Sequence, residues 1–258
     1  MEELLPKFAV FLLVLVRVSS FFVVSPVFSY RTIPMTHKIG LSFFLAWIMY
    51  YTIKAPPMDI DGLYFLLIIK EAMVGLILGF TGYMIIAAVQ MAGGFIDFQM
   101  GFTMANVIDP QNGTQSPLMG QYVYMIALLF LLATNGHHLL LDGIFYSYQT
   151  VPIDKAFLPM GNQNFIMYLA EAFNKTFIIA LQMSLPVVGS LFLVDVGLGI
   201  VARTVPQLNI FVVGMPVKVI AGFVILVLVF GSMLMSVRSL FDFSLLAMRG
   251  LMHWMGGT

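Results

Sequence analysis

Apolar runs long enough to cross a bilayer dominate this chain, and each is interrupted or ended by a charge, a proline or a glycine. A stretch such as Phe8 to Phe28, about 20 residues, must either be lipid-covered or sit in a large core. Hydrophobic residues make up 60% of the chain and charged ones 9%, with a mean hydropathy of +0.99. Soluble domains carry about 25% charge. The expectation is an all-α membrane protein of helical hairpins with kinked or broken helices, forming one membrane domain over residues 1–258. Net charge is zero and no basic stretch is present, which speaks against nucleic acid as a partner; membrane lipid is the expected surroundings. The start, MEELLPKF, is acidic where a signal peptide would be basic, so the first apolar run is expected to be retained.

The chain has no cysteine, which removes disulfides, thiolate metal sites and cysteine nucleophiles. No HExxH, P-loop or GxSxG motif occurs. His137, His138 and Asp142 are the one candidate metal cluster, but adjacent histidines point to different faces of a helix, and hydrogen bonding at a helix end is the plainer reading. No catalytic residue, cofactor or metal is expected, and the chain is read as a non-enzyme.

The helical segments read from the sequence are Phe8 to Phe28, Ile39 to Ile53, Leu63 to Ala92, Leu118 to Thr134, Thr176 to Arg203 and Lys218 to Arg238. Ile39 to Ile53 is short for a span, whereas Leu63 to Ala92 is too long for a straight one. Gly75 and Gly79 form a small-xxx-small face for close helix packing. Pro186 is an expected kink by its missing N–H, and a connection over Thr204 to Pro216 makes the last two helices a hairpin. Arg17, Asp195 and the Lys70-Glu71 pair are intramembrane charges. Each either lines a path for an ion or solute or pairs within a bundle, and pairing is favoured. The Lys and Arg distribution gives no orientation: Arg31, Lys38, Arg203 and Lys218 fall on one side, Lys7, Lys54, Lys155, Lys175, Arg238 and Arg249 on the other.

Gly93 to Gln121 is the break in this pattern. It holds no Lys or Arg, and its Gly93-Gly94, Asp109-Pro110 and Asn112-Gly113 pairs read as flexible exit and turn formers. Phe95, Phe98, Met100, Phe102, Met104, Val107 and Ile108 nevertheless keep it apolar. Such a loop is expected to be buried against protein or to line a cavity.

The run GGFIDFQMGFTMANVIDP, the later LLFLLATNGHHLLL with Pro152, and the final Asp195-Val196-Gly197, Pro206-Gln207-Leu208-Asn209 and Gly214-Met215-Pro216-Val217-Lys218 together resemble the flagellar export-gate family of FliR and its virulence type III secretion counterparts. The resemblance implies a FliP-like part over residues 1–160, with the central loop 93–121, and a FliQ-like helical hairpin over residues 161–258. It implies one copy in a helical hetero-oligomer with FliP-like, FliQ-like and FlhB-like subunits, in the bacterial inner membrane at the flagellar basal body, passing unfolded flagellar proteins. It also implies that a plug, about Phe102 to Pro117, projects into the conduit: Gly101, Phe102, Met104, Asn106, Asp109, Pro110, Asn112, Gly113 and Pro117 are its residues. Short spans and undecided orientation fit a family whose gate is lifted above the bilayer plane. The alternative from another class is a small secondary transporter with Arg17 and Asp195 in the substrate path; it would carry an internal repeat, and none is evident.

Overall fold

A computed structural model describes residues 4–29, 33–53, 56, 58, 60–103, 117–155, 162–207 and 209–256. They form α1 (Leu4–Val24), α2 (Met35–Thr52), α3 (Gly62–Met100), α4 (Leu118–Ala133), α5 (Gly136–Thr150), α6 (Gln163–Thr204) and α7 (Ile210–Gly256), with no strand among them. The protein is all-α. Four of these helices contain stretches long and apolar enough to cross a membrane: α1, α3, α6 and α7. α4 and α5 could together supply a fifth, bent by 68° at their junction. Asn135 makes that bend possible by adopting a left-handed conformation, φ 56°, which asparagine tolerates better than most residues.

Three helices are far longer than the sequence segments suggest. α3, α6 and α7 have 39, 42 and 47 residues. At 1.5 Å per residue they extend about 58 to 70 Å, roughly twice the apolar thickness of a bilayer. Two expected boundaries are therefore corrected. α3 does not end at Gly93-Gly94 but continues through both to Met100, so the break expected from residue 93 comes at Gly101. A helical glycine costs about 1 kcal/mol relative to alanine, and here the missing side chains admit another helix. The connection between α6 and α7 is also shorter than Thr204 to Pro216. α7 starts at Ile210, with Pro216 inside it. Asn209 starts that helix: its side-chain oxygen accepts the Phe211 N–H at 3.1 Å and its carbonyl accepts that of Val212 at 3.1 Å. This cap sets the start of α7 ahead of Pro216, whose missing N–H removes one bond from the helix.

The chain divides into two compact units. Unit 1 comprises residues 1–84, 131–173 and 241–258. Its core gathers Leu13, Val18 and Phe21 of α1, Leu78 of α3, Ile144 of α5 and Leu251 of α7. Phe11 fastens α2 to α1 through the rings of Phe43, Trp47 and Tyr50, at 5.4, 5.7 and 6.2 Å between centroids. Tilted and edge-on ring pairs at these distances are favourable beyond area burial alone.

Unit 2 comprises residues 85–130 and 174–240. Its interior includes Val89, Ile96 and Met100 of α3, Ala127 of α4, and Val187 and Leu191 of α6. In the most apolar windows of α6 and α7 only 28% and 17% of residues are buried. Those helices present long uncovered apolar faces, which in a membrane chain belong to lipid or to neighbouring helices.

Candidate functional site

In unit 1, α3 lies against α1 so closely that side chains are excluded at two positions. A Cβ on Gly75 would fall on the Ser20 hydroxyl and the Arg17 carbonyl, and one on Gly79 would stand 2.8 Å from the Phe21 carbonyl. That approach brings Arg17 of α1 alongside Glu71 of α3. The guanidinium holds the carboxylate with two of its nitrogens, Nη2 at 2.8 Å and Nε on the other oxygen. Nη1 donates to the Ser147 hydroxyl at 3.0 Å, and Nη2 also to the Val151 carbonyl at 2.9 Å. The Tyr148 ring lies 4.0 Å below the guanidinium carbon, a cation–π arrangement. Lys70 completes the cluster, 2.6 Å from Glu71 and donating to the carbonyls of Pro152 and Ile153 at 2.7 and 3.2 Å. Arg17 and Glu71 are fully buried and Lys70 nearly so. The arrangement ties α1, α3 and the end of α5 together; it leaves Arg17 closed to any passing solute.

In unit 2 the last turns of α3 carry a different set of ties. Asp97 faces the start of α4. Its carboxylate accepts the Met119 N–H at 3.0 and 2.9 Å and the Gly120 N–H at 3.1 Å. These are groups that the first turn of a helix leaves without an internal partner. Gln99 donates to Asp195 of α6 at 2.8 Å, and Lys218 of α7 pairs with the same carboxylate at 2.8 Å. Met100 is fully buried against α7, where a Cβ on Gly222 would come within 2.7 Å of its methyl carbon. Around Asp195 and Lys218 opens a cleft of about 590 Å³, lined also by Phe98, Gln99, Gly101 and Phe211.

The residues expected in the plug fall partly within this region. Gly101 ends α3 with φ 89°, a value that favours glycine, and its N–H reaches the Asp97 carbonyl at 3.1 Å. The Phe102 ring lies 6.4 Å from that of Phe223 on α7. Pro117 precedes α4, and its carbonyl accepts the Gln121 N–H at 2.8 Å. Met104, Asn106, Asp109, Pro110, Asn112 and Gly113 lie outside the described residues. Arg17 belongs to unit 1 and Asp195 to unit 2. His137 and His138 have ring centroids 4.2 Å apart, and among the described residues no group of three or more His, Asp or Glu is placed to hold a metal.

Comparison with known proteins decides the family. Residues 8–244 match the model of the bacterial export proteins, family 1. The chain belongs to this family. It is 54% identical over 257 residues to the flagellar biosynthetic protein FliR of Bacillus subtilis (strain 168), covering 99% of each chain. The flagellar biosynthetic protein FliR of Escherichia coli (strain K12) is 31% identical over 209 residues, 81% of this chain and 79% of that one. The Yop proteins translocation protein T of Yersinia pestis is 28% identical over 209 residues, 80% of each.

Sequence reasoning singled out Arg17, Asp195 and the Lys70-Glu71 pair, but not that Arg17 meets Glu71, and it gave no role to Asp97, Gln99 or Lys218 as partners. A usable signal existed for Asp97: Pro117 has no side-chain acceptor to cap the helix that follows it. Nothing local pointed to Glu71 as the partner of Arg17, since 54 positions separate them.

Proposed function

We propose that this chain is a structural and gating subunit of the flagellar type III protein export gate, and not an enzyme. It forms part of the conduit through which unfolded flagellar proteins cross the bacterial inner membrane at the basal body. The full-length likeness to a flagellar biosynthetic protein FliR, 54% identical over 99% of both chains, carries this reading. The uncovered apolar faces of α6 and α7 support it, because helices so little buried within their own chain suit a subunit of an assembly. In that assembly one copy contacts FliP-like, FliQ-like and FlhB-like subunits, with residues 1–160 as the FliP-like part and 161–258 as the FliQ-like hairpin.

The stretch from Phe102 to Pro117 is the plug. Apolar and methionine side chains close a narrow tube to ions by dewetting and still yield to a passing polypeptide, since methionine adapts to changing shapes. The transporter alternative is disfavoured by the complete enclosure of Arg17, whose guanidinium makes four hydrogen bonds within the protein. Deleting Asn106 to Gly113 should leave assembly intact and make membranes bearing the assembled gate leak ions. An ion-tight membrane with normally assembled deletion complex would falsify the plug assignment.

A further inference from the structure

Asp97 holds both ends of the 101–117 stretch. On one side its carbonyl accepts the N–H of Gly101 at 3.1 Å, where the chain leaves α3. On the other its carboxylate takes the Met119 and Gly120 N–H groups of α4, in three contacts between 2.9 and 3.1 Å. The acceptor comes from another helix because Pro117, directly before α4, has no side chain able to cap it. A carboxylate at a helix N-terminus is also favoured by the helix dipole.

The surrounding packing is built for this contact. Gly93 lies one turn before Asp97, on the same face of α3. A Cβ on Gly93 would coincide with the Gly120 backbone, so the pair of glycines lets α3 and α4 touch main chain to main chain. Asp97 is 3% exposed, which shields its hydrogen bonds from competing water.

We propose that Asp97 is a positioning residue that staples the end of α3 to the start of α4. Only the consequence for ion tightness rests on the gating role proposed above; the staple itself is independent of it.

The test uses the full chain in its assembled membrane complex, with this chain the only one labelled. Because the chain has no cysteine of its own, Phe98→Cys and Leu118→Cys, both at exposed positions, place one spin label on each side of the staple. The wild-type background should give a single narrow distance distribution. Asp97→Ala should shift it to longer distances and broaden it, in complexes that have assembled. Asp97→Asn should fall between the two, because its one carbonyl oxygen can stand where the Asp97 Oδ2 accepts both N–H groups, while its amide nitrogen takes the place of Oδ1 beside the Met119 N–H. A residue that merely helps the chain fold would change how much complex forms and leave the distance within it unmoved. If Asp97→Ala does not accumulate, Asp97→Leu replaces it: a side chain of similar shape that has no acceptor for either N–H. A wild-type distribution in whichever of the two assembles overturns the staple. Ion leakage is measured on the same membranes. A shifted distance in an ion-tight membrane leaves the staple standing and counts against the gating role, whereas an unshifted distance overturns the staple whatever the leakage.

Discussion

The two ionic clusters use the same kinds of residue and sit in opposite circumstances. Arg17, Lys70 and Glu71 are sealed inside unit 1, with side-chain exposure of 2% or less. Asp195 and Lys218 in unit 2 border a cleft, at 37% and 20%. Taking charges out of water costs several kcal/mol per ion, of which close geometry and further hydrogen bonds recover most. The first cluster meets that requirement with Ser147, Val151, Pro152, Ile153 and the Tyr148 ring. The second has fewer protein partners, with Gln99 beside the pair, and part of its charge stays accessible from the cleft. Burial, rather than residue identity, therefore sorts these two clusters into a lock between helices and a tie at a cleft wall.

Removing the acid from the sealed cluster should have the largest effect. Glu71→Ala leaves Arg17 and Lys70 buried without a counter-charge, which costs about 3–5 kcal/mol. The expected outcome is loss of the protein from the membrane fraction, measured by immunoblot against wild type, together with a lower melting temperature of any complex that forms. Replacing all three, with Arg17→Met, Lys70→Met and Glu71→Leu, should recover much of that loss, because packed apolar side chains can substitute for a buried ionic group. Accumulation of Glu71→Ala at the wild-type level would break the comparison at its stronger end.

The glycines that let Arg17 reach Glu71 come next. Gly75→Val pushes a branched side chain into the Arg17 carbonyl and Ser20, and overpacking of this kind typically costs about 1–3 kcal/mol. Since the obstacle is backbone, α1 and α3 must separate and the ion pair must stretch. Gly79→Val should do the same to a lesser degree at the Phe21 carbonyl. Combining Gly75→Val with Glu71→Ala should give less than the sum of the two, as expected for residues that share one contact. Additive losses in melting temperature would separate the packing from the lock.

Much of this was legible in the sequence, and the parts that were not share a cause. Apolar runs around Leu13, Leu78 and Val187 announced helices, because a bilayer-length segment has few other ways to satisfy its backbone. Helix ends were harder. Gly93-Gly94 and Pro216 are helix breakers by propensity, yet each lies inside a helix. In the first case, close packing on Gly120 favours continuation; in the second, the cap at Asn209 does. Partners across the chain left no local trace. Lys70-Glu71 is visible as a pair, but Arg17 as its third member follows only from the α1–α3 approach. Asp97 read as a loop residue because its role depends on where α4 begins, 21 residues later at Leu118.

The exposed tie should give the smallest effect, and it is the sharpest check on the role assigned to burial. Asp195→Asn removes a charge from a pair that stays accessible at the cleft, and exposed pairs contribute roughly 0.2–1 kcal/mol. Asparagine can also keep the bond from Gln99, by turning its carbonyl toward that amide. Accumulation and melting temperature should therefore stay near wild type, well above those of Glu71→Ala measured alongside. Lys218→Met should behave alike, and the double variant should add little to either single change, since both act on one pair. If Asp195→Asn instead lost as much protein as Glu71→Ala, the cleft would have to be covered in the assembled complex. The pair would then be buried by a neighbouring chain, and the contrast between the two clusters would exist only in the isolated subunit.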